Sequence, residues 1–506
     1  MTNKGKVDTL IIENEVVTTD SRKMFGRTTI YTAYNEVDKK NLLDIMKSAI
    51  MIHNHNSADI DYLWKYMKGN QPILSRVKDV RPEINNKTVE NHAYEIVNFL
   101  SGYLMGEPCT YVSRGKEDKA GDKIDKLNSY MYAQDKASND KDLATWFYVC
   151  GIGYRMILPD NMLTEANEES PFEIDVLDPR FTFVVYKHDF GREPMIGVRI
   201  ITRLDAQGNV ERLYCGYTKT HYFECTENKI EKWEAHPLGA IPIFEYRANM
   251  ALLGAFEPVI PLLDAINNIA SNRLDGIEQF VQAFFKFVNC DIDEEKFKAL
   301  KDLGAIKIKS VDGQQADVDI VSQELSQTET QTLVDYLYTQ VLTICGLPTT
   351  NRSQGGSSDN GVAVILRQGW EQCEARARDT ELLFKKTEKK FLKLALKIIN
   401  TKDDLGLQLS EVDVKFTRRQ HDNLLTKTQA LMQMLEAGIK PEIAIATCGL
   451  FNDPMDIAIQ SKEYLDKKWG LEANPQGVDK NMYSNKEEQV NKQGDENNGQ
   501  SGSGND

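Results

Sequence analysis

A run of carboxylates near the middle of the chain has the residue types that acid–base or metal chemistry requires. Asp291, Asp293, Glu294 and Glu295 fall within five residues. Paired carboxylates can act as general acid and base, and their oxygens bind hard cations. Such a run is more often a helix N-terminus or a solvated surface. We therefore expect no enzyme, and the alternative is a cytoplasmic enzyme that acts on a polymer through these clustered carboxylates.

Other patterns that would indicate catalysis or a bound cofactor are weak or missing. The chain has no GxxxxGK[ST] phosphate loop, no GxGxxG after a strand, no GxSxG and no HExxH. His53 and His55 form a lone HxH, which is weak as a metal site. The eight cysteines include no CxxC pair, so we expect reduced thiols in the core. The sequence predicts no cofactor and no metal.

A row of lysines is the most prominent charged feature. It occupies the second half of the longest predicted helix, with Glu388 as the only acid among Lys385, Lys386, Lys389, Lys390, Lys393 and Lys397. The simpler interpretation is a solvated helix face, because no aromatic residues are interleaved for base stacking. The alternative is contact with phosphates or with an acidic neighbouring subunit.

Length and charge limit the classes of protein that this chain can be. Its 506 residues allow about three domains at roughly 100–200 residues each. The 61 Lys and Arg against 76 Asp and Glu give a formal net charge of −15, which argues against a protein that grips nucleic acid over its whole surface. We expect neither a secretory signal nor a membrane span, because no run reaches roughly 18 apolar residues.

Hydrophobic periodicity predicts an α+β chain that begins with an extended arm. Helices with apolar residues at spacings of three and four are expected within residues 38–51, 58–68, 87–105, 121–135 and 139–150. From Gly151 the pattern changes, and from Phe172 to Trp233 it alternates with a period of two between turns such as Gly208-Asn209. This pattern predicts an antiparallel meander.

The hydrophobic pattern in the second half of the chain predicts two long helices that form a stalk, with a small module at its tip. Two long helices, 256–281 and 322–345, enclose a small module with strand-like residues at 305–308 and 318–321. A Gly- and Ser-rich polar segment, 348–361, predicts a mobile loop. It is followed by the longest helix, 362–399, a strand at 412–416, and helices near 423–436, 441–448 and 454–468. Residues 471–506 lack an apolar pattern and are predicted to be disordered.

The order of these parts resembles the portal proteins of tailed bacteriophages, in the form found in siphophages of Gram-positive hosts. The passage Tyr66–Ile73, YMKGNQPI, is similar to a short Y-x-G-x-Q-x-I passage of the family. Further similar stretches are IVNFLSGYLMGEP from Ile96, Leu177-Asp-Pro179, LGAIPIF from Leu238, Glu257–Asp264 with Asn267, Ser271 and Asp275, Cys345–Pro348 and Asp359–Ala363. The ordered set over residues 40–440 carries the resemblance.

The resemblance implies a portal fold with an α+β wing, a two-helix stem, a small α/β clip, a long helix after a tunnel loop, and a helical crown. The implied boundaries are an N-terminal arm (1–36), wing (37–255), stem helix 1 (256–281), clip (282–321), stem helix 2 (322–346), tunnel loop (347–361), long wing helix and strand (362–421), crown (422–470) and tail (471–506).

The resemblance also implies where DNA and partners would bind. The channel residues would be Thr349, Thr350, Asn351, Arg352, Ser353, Gln354, Ser357, Ser358, Asp359 and Asn360. We hypothesise that Arg352, the only cation of this loop, meets the DNA backbone transiently. The clip would offer a docking surface at Lys286, Asp291, Asp293, Glu294, Glu295, Lys296 and Lys298.

The implied function is a ring, normally of twelve subunits, at one vertex of the capsid. The ring would be assembled in the cytoplasm of the bacterial host and would conduct double-stranded DNA during packaging and ejection. Implied partners are further copies of the chain, the large terminase subunit, the major capsid and scaffolding proteins, and a head-completion or adaptor protein. Another head–tail connector ring is the closest alternative.

Overall fold

The structure is a computed structural model of the chain. It describes residues 26–114, 119–160, 169–204, 208, 210–281, 284–288, 317–321, 327–349, 369–403, 405–417, 424–451, 457–462 and 464. The chain divides into two compact units, Met1–Asp422 and Asn423–Asp506. Among the described residues, no helix is long and apolar enough to cross a membrane. The mixture of helix and sheet that the sequence predicts is confirmed.

The helices of both units follow the apolar periodicity, with departures in the first helix and at the starts of three later ones. In chain order they are α1 Leu42–Met67, α2 His92–Met105, α3 Lys119–Ala133, α4 Lys136–Cys150, α5 Ile260–Val281, α6 Gln327–Cys345, α7 Trp370–Lys402, α8 Leu424–Glu436 and α9 Pro441–Cys448. In α1 the prediction of two separate helices is wrong, and α2 and α5 begin at His92 and Ile260, four or five residues later than predicted. The polar stretch His53–Ser57 stays helical because Asn56 turns inward and its side chain bonds both the N–H and the carbonyl of Thr28.

The strands form two larger sheets and two strand pairs. In chain order they are β1 Ile30–Thr32, β2 Thr110–Ser113, β3 Ile152–Pro159, β4 Phe172–Leu177, β5 Thr182–Lys187, β6 Pro194–Leu204, β7 Val210–Tyr217, β8 His221–Cys225, β9 Ile230–Ala235, β10 Ile243–Arg247, β11 Phe284–Val288, β12 Asp317–Val321 and β13 Val412–Lys415. The predicted antiparallel meander is confirmed as the run β5-β6-β7-β8-β9, whereas Phe172–Leu177, predicted as its first part, is β4 of another sheet. The sequence did not predict that β1, within the expected arm, adds to this sheet in parallel beside β5.

A second sheet, β10-β3-β4, lies at the centre of the first unit. Strand β3 was not predicted, because its first six residues are all buried and so do not alternate. A strand buried on both faces gives a continuous rather than an alternating pattern. The predicted strand near residues 412–416 is confirmed as β13, which pairs with β2.

The two long helices α5 and α6 run antiparallel. Arg273, late in α5, bonds Gln331, early in α6. At the other end, the Cys345 thiol of α6 donates to the Ala255 carbonyl just before α5. Between the helices, β11 pairs antiparallel with β12. The strand predicted at 318–321 is thus confirmed, while the one predicted at 305–308 lies outside the described residues.

The longest helix begins later than the sequence predicts. Gly369 has a left-handed backbone with φ of 77°, and α7 starts at the next residue. A helix that is continuous through Gly369 is therefore excluded, because a left-handed residue interrupts the right-handed helix. The predicted residues 362–368 lie outside the described part. At its other end α7 continues to Lys402, beyond the predicted Ile399.

The second unit is helical where it is described. Helices α8 and α9 pack on each other, and residues 457–462 are also helical. Gly449 ends α9 in the left-handed conformation that is common after a helix C-terminus. The predicted boundaries of α8 and α9 agree with the structure to within one residue. The predicted disordered tail lies outside the described residues.

Candidate functional site

Most residues that the sequence assigns to the channel and the clip fall outside the described residues. Of the channel residues, Thr349 is described and half-buried. Of the clip residues, Lys286 is placed on the backbone of β11. The rest lie outside: Thr350, Asn351, Arg352, Ser353, Gln354, Ser357, Ser358, Asp359 and Asn360 of the loop, and Asp291, Asp293, Glu294, Glu295, Lys296 and Lys298 of the clip.

The chain enters the loop region from a firmly capped helix end. Helix α6 closes with a Schellman motif, in which Gly346 N–H donates to Thr343 and Leu347 N–H to Leu342, at 3.1 and 2.9 Å. Gly346 has φ of +67°, and a Cβ there would press on the Arg376 side chain. Arg376, on α7, also donates to the Ile344 carbonyl at 2.8 Å. The described residues that lead into segment 350–368 are thus fixed to α7.

The chain leaves the loop region at an aromatic cluster. Trp370, the first residue of α7, lies 6.0 Å from the rings of Phe99 and Tyr103 on α2. The Tyr103 hydroxyl donates to Glu374 one turn further along α7, at 2.9 Å. Both ends of segment 350–368 are therefore held by the first two turns of α7. Sequence reasoning missed these anchors, because Trp370 and Arg376 follow no motif.

A row of polar side chains on α5 holds residues 86–90 in place. Asn267, Ser271 and Asp275 are spaced by four residues and are buried. Their side chains accept from the backbone N–H groups of Glu90, Thr88 and Asn86 at 2.8, 3.0 and 2.7 Å. Lys78 and Arg76 add ion pairs to Asp275 at 2.9 and 3.1 Å. The sequence identified these three polar residues only through the resemblance.

Helices α5 and α6 also carry exposed apolar side chains. On α6, Leu333, Tyr336 and Ile344 are 48, 60 and 47% exposed. On α5, Leu274 and Ile277 are 43 and 49% exposed. Leu333, Tyr336 and Ile344 lie on one side of α6 because their spacings of three and eight residues follow the helical repeat. Contiguous exposed apolar side chains are typical of interaction sites, so this side of α6 is a candidate one.

A buried ionic cluster joins three elements of the first unit. Glu388 of α7 pairs with Lys136 of α4 and Arg155 of β3, each at 3.1 Å. Asp140 of α4 pairs with Lys136 at 2.6 Å and also with Arg155. The Tyr111 and Tyr246 hydroxyls each donate to Glu388 at 2.6 Å. Two cations and two anions thus balance in the interior.

The protonation of Glu388 follows from these partners. Burial alone would raise the pKa of the Glu388 carboxyl, but Lys136, Arg155 and the two tyrosine hydroxyls outweigh burial and lower it. The carboxylate therefore stays charged at neutral pH. In the sequence Glu388 looked like the acid that opposes the lysine row; in the structure it points inward, away from that row, because it lies on the buried face of α7.

The lysine row lies on the solvent side of α7. Lys386, Lys390, Lys393 and Lys397 are spaced by four, three and four residues, which places them on one face. Lys397 donates to the Leu238 carbonyl at 2.7 Å. Lys385 lies off the row, pairs with Glu381 at 2.6 Å and stacks over the Phe416 ring. Among the residues that the structure describes, Lys386, Lys389 and Lys393 make no ion pair.

His92 connects α2 to α6. Its ring lies 4.5 Å from Tyr338 of α6, and its nitrogens bond Glu95 at 2.8 Å and Glu90 at 3.3 Å. The Tyr338 hydroxyl also donates to Glu95 at 2.8 Å. Burial would lower the pKa of His92, but the hydrogen bonds and charges of Glu95 and Glu90 outweigh burial and raise it. Protonated His92 thus holds Glu95 and Glu90 beside it, while the Tyr338 ring and hydroxyl connect this group to α6.

We expect this contact to make stability depend on pH. Because the folded pKa of His92 is raised, its contribution is complete below the ordinary pKa of 6.5 and is lost as pH rises through the raised value. His92→Gln should lower the melting temperature most at pH 6 and least at pH 8. His55→Gln, at an exposed position on α1, is the control. An equal loss at both pH values would contradict the expectation.

His53, His55 and the cysteines were the remaining residues that could bind a metal ion. His53 is buried against Phe183 and its ring bonds the Arg180 carbonyl, while His55 two residues later is exposed. Within the described part of the chain, no group of three His, Cys, Asp or Glu residues is placed to hold a metal ion. Seven cysteines lie in that part, all buried and without a disulfide there; Cys290 lies outside it.

Comparison with known proteins places the chain in a family. The profile of the family described as phage portal protein, SPP1 Gp6-like, matches residues 46–467. The portal protein of Bacillus phage SPP1 is 23% identical over 425 residues, which cover 77% of this chain and 78% of that protein.

Two solved structures of gene transfer agent particles are also similar. Their chains come from the neck of an empty particle and from a native virion, and both have a TM-score of 0.44 at 13% identity. The matches cover 71 and 78% of this chain and 90 and 94% of those chains. Since the family profile spans most of the sequence, this chain belongs to the SPP1 Gp6-like family of phage portal proteins.

Proposed function

We propose that this chain forms a ring of twelve subunits at one capsid vertex, and that the ring is the channel for packaging and ejection of double-stranded DNA. The observation that carries the proposal is the family match over residues 46–467. The ring belongs to the virion and is assembled in the host cytoplasm. We assign it no catalytic step, in contrast to the alternative of a polymer-acting enzyme that uses Asp291 and Asp293.

We propose that the parts of the chain divide the work as the family resemblance implies. Residues 37–255 and 362–421 form the wing, α5 and α6 the stem, 282–321 the clip and 422–470 the crown. Two observations support this division. The antiparallel helices α5 and α6 lead to and from the pair β11–β12, and the second compact unit begins at Asn423.

The stem supplies contacts between neighbouring subunits. A cyclic ring needs two different surfaces on each subunit that meet in a head-to-tail manner. The exposed side chains Leu333, Tyr336 and Ile344 form one such surface on α6. Burying them against the next subunit would remove apolar area from water and so stabilise the ring.

The loop 347–361 faces the DNA, and the clip binds the partners. The net charge of −15 per chain suits a conduit, because phosphate contacts dominate DNA affinity and a tight grip would stop sliding. Arg376 and Trp370 hold the described residues on either side of segment 350–368. The clip docks the large terminase subunit and later the head-completion or adaptor protein, while the wing and crown meet capsid and scaffolding proteins.

The oligomeric state of the purified chain tests the proposal. Twelve copies of the 57.5 kDa chain make a particle of about 690 kDa, and native mass measurement together with negative-stain images should show rings of that size. An enzyme would run as a monomer or small oligomer. A chain that stays monomeric in every buffer and concentration would contradict the proposal. A smaller connector-type ring would contradict the assignment to the portal position.

Arg352 gives a second expected result. Arg352→Ala should change the rate of DNA packaging and ejection, because it removes the single cation of the loop from each subunit. Arg352→Lys should retain most of the wild-type rate, since a point charge meets phosphate nearly as well. Phage assembled with each variant would be compared by packaged DNA per particle and by ejection kinetics. Wild-type rates for Arg352→Ala would contradict the phosphate contact.

A further inference from the structure

A groove of about 340 Å³ runs beside the C-terminal half of α7. Its apolar wall includes Pro159 at the end of β3, Pro171 just before β4, and Pro237. Leu394 and Ile398 of α7 form the other side. The prolines have no N–H to pair with a strand, so the groove suits aliphatic side chains of an extended segment rather than a further strand of the sheet.

The rim of this groove carries Lys397, Lys402 and Asp160; Lys402 pairs with Asp160 at 3.1 Å, so Lys397 supplies the net positive charge. Lys397 lines the groove and continues the row of Lys390 and Lys393 along the same face of α7. Partial burial, and then the charge of Lys386, lower the pKa of Lys390. Lys386 and Lys390 therefore repel each other, and Glu193 and Glu245 offset part of that repulsion. An occupant with both apolar and acidic side chains could pack against the apolar wall and pair with the lysines at the rim.

We propose that residues 8–20 of the same chain occupy this groove. The segment reads DTLIIENEVVTTD and contains four acids and no base. In an extended conformation Leu10, Ile12 and Val16 share one face and Glu13 and Glu15 the other. The first face fits the apolar wall, while the glutamates lie within reach of Lys390 and Lys393 at the rim. The row therefore takes a carboxylate partner rather than DNA phosphate.

Residues 8–20 can reach the groove within one subunit, because Arg27 lies near the start of β3 and the groove lies at its end. Arg27 N–H donates to the Leu252 carbonyl, which lies against Gly151 at the start of β3. Arg27 is held there by its buried ion pair with Glu257 at 2.6 Å. The eight residues of β3 lead from that point to the groove over about 23 Å. The ten residues from Val17 to Arg27 can span about 33 Å.

The other segments outside the described residues fit the groove less well. Residues 471–506 carry seven acids against three lysines, so their charge would suit the rim, but their few apolar residues are scattered and do not match the apolar wall. Residues 161–168 connect Asp160 to Glu169 beside the groove and carry two acids. They are the main competing occupant. The lysine row could also bind DNA, and the experiment separates these possibilities.

A disulfide trap in the full-length chain tests the proposal. Val16→Cys is combined with Thr401→Cys, which lines the groove, and the disulfide is measured by peptide mass after mild oxidation. Met482→Cys with Thr401→Cys is the matched control from the other terminus. We expect about tenfold more disulfide from the first pair. Lys390→Glu with Lys393→Glu should lower its yield about tenfold, and adding Glu13→Lys with Glu15→Lys should restore it.

Four outcomes would overturn the proposal. Equal disulfide yields for the Val16→Cys and Met482→Cys pairs would mean that residues 8–20 do not occupy the groove. This result is expected if residues 161–168 fill it. A disulfide that links two subunits would rule out occupancy within one chain. An unchanged yield after the charge reversals would remove the role of the lysines. Loss of the disulfide on adding double-stranded DNA would make the row a phosphate site. Lys40→Glu with Lys47→Glu, two exposed lysines elsewhere, controls for net charge.

Discussion

Glu388→Ala should lower the free energy of unfolding by about 3–5 kcal/mol, the largest effect that we expect from a single substitution in this chain. Without Glu388, Arg155 and Lys136 share only Asp140 in a site where all four side chains are almost fully buried. The hydroxyls of Tyr111 and Tyr246 also lose their acceptor. One buried positive charge is then left uncompensated, which is the costly case. Chemical denaturation of purified protein would measure the change.

Two variants show whether charge balance is the cause. Asp379→Ala removes an acid from an exposed position of the same helix and should change stability by no more than about 0.5 kcal/mol. Arg155→Met with Glu388→Met removes one charge of each sign and leaves the pair Lys136–Asp140. We expect this double variant to be more stable than Glu388→Ala alone. If Glu388→Ala matched Asp379→Ala, the cluster would not hold the fold together.

The helices were predictable because their cores are local patterns. Helix α7 buries Cys373, Ala377, Phe384 and Phe391 at spacings that the sequence displays directly. Its beginning was not predictable in the same way, because Gly369 can extend a helix or end one. In α1 the side chain of Asn56 bonds Thr28, a residue 28 positions away, and no local pattern reveals such a partner.

The functional features depend even more on distant partners. The ionic cluster joins Lys136, Arg155 and Glu388 across more than 200 residues, so the sequence shows three ordinary charges. The loop anchors likewise join Trp370 to Phe99 and Tyr103. The resemblance pointed to Asn267, Ser271 and Asp275, and the structure supplies their role in holding residues 86–90. The order of motifs along the sequence predicted the class of protein. The contacts between distant residues, which hold its elements together, could not be predicted from that order.

Leu333→Asp combined with Tyr336→Asp should abolish ring formation while leaving the subunit folded. Both side chains are about half exposed on α6 in the single chain, so a charge there is hydrated and costs the subunit little. In a ring each would be covered by the neighbouring subunit. Burying a side chain of this size stabilises by about 1.5–3 kcal/mol, and burying an unpaired carboxylate in its place is unfavourable.

The effect of this double substitution should be amplified by the symmetry of the ring. Each subunit contributes the same surface once, so every contact around the ring is weakened together, and the closed ring loses the sum. We expect sedimentation at the monomer position with an unchanged far-ultraviolet circular dichroism spectrum. Tyr132→Asp with Phe190→Asp is the matched control, since these side chains are 87 and 104% exposed away from the stem helices. Rings that persist in the stem variant, or vanish in the control, would show that α6 does not carry the contact between subunits.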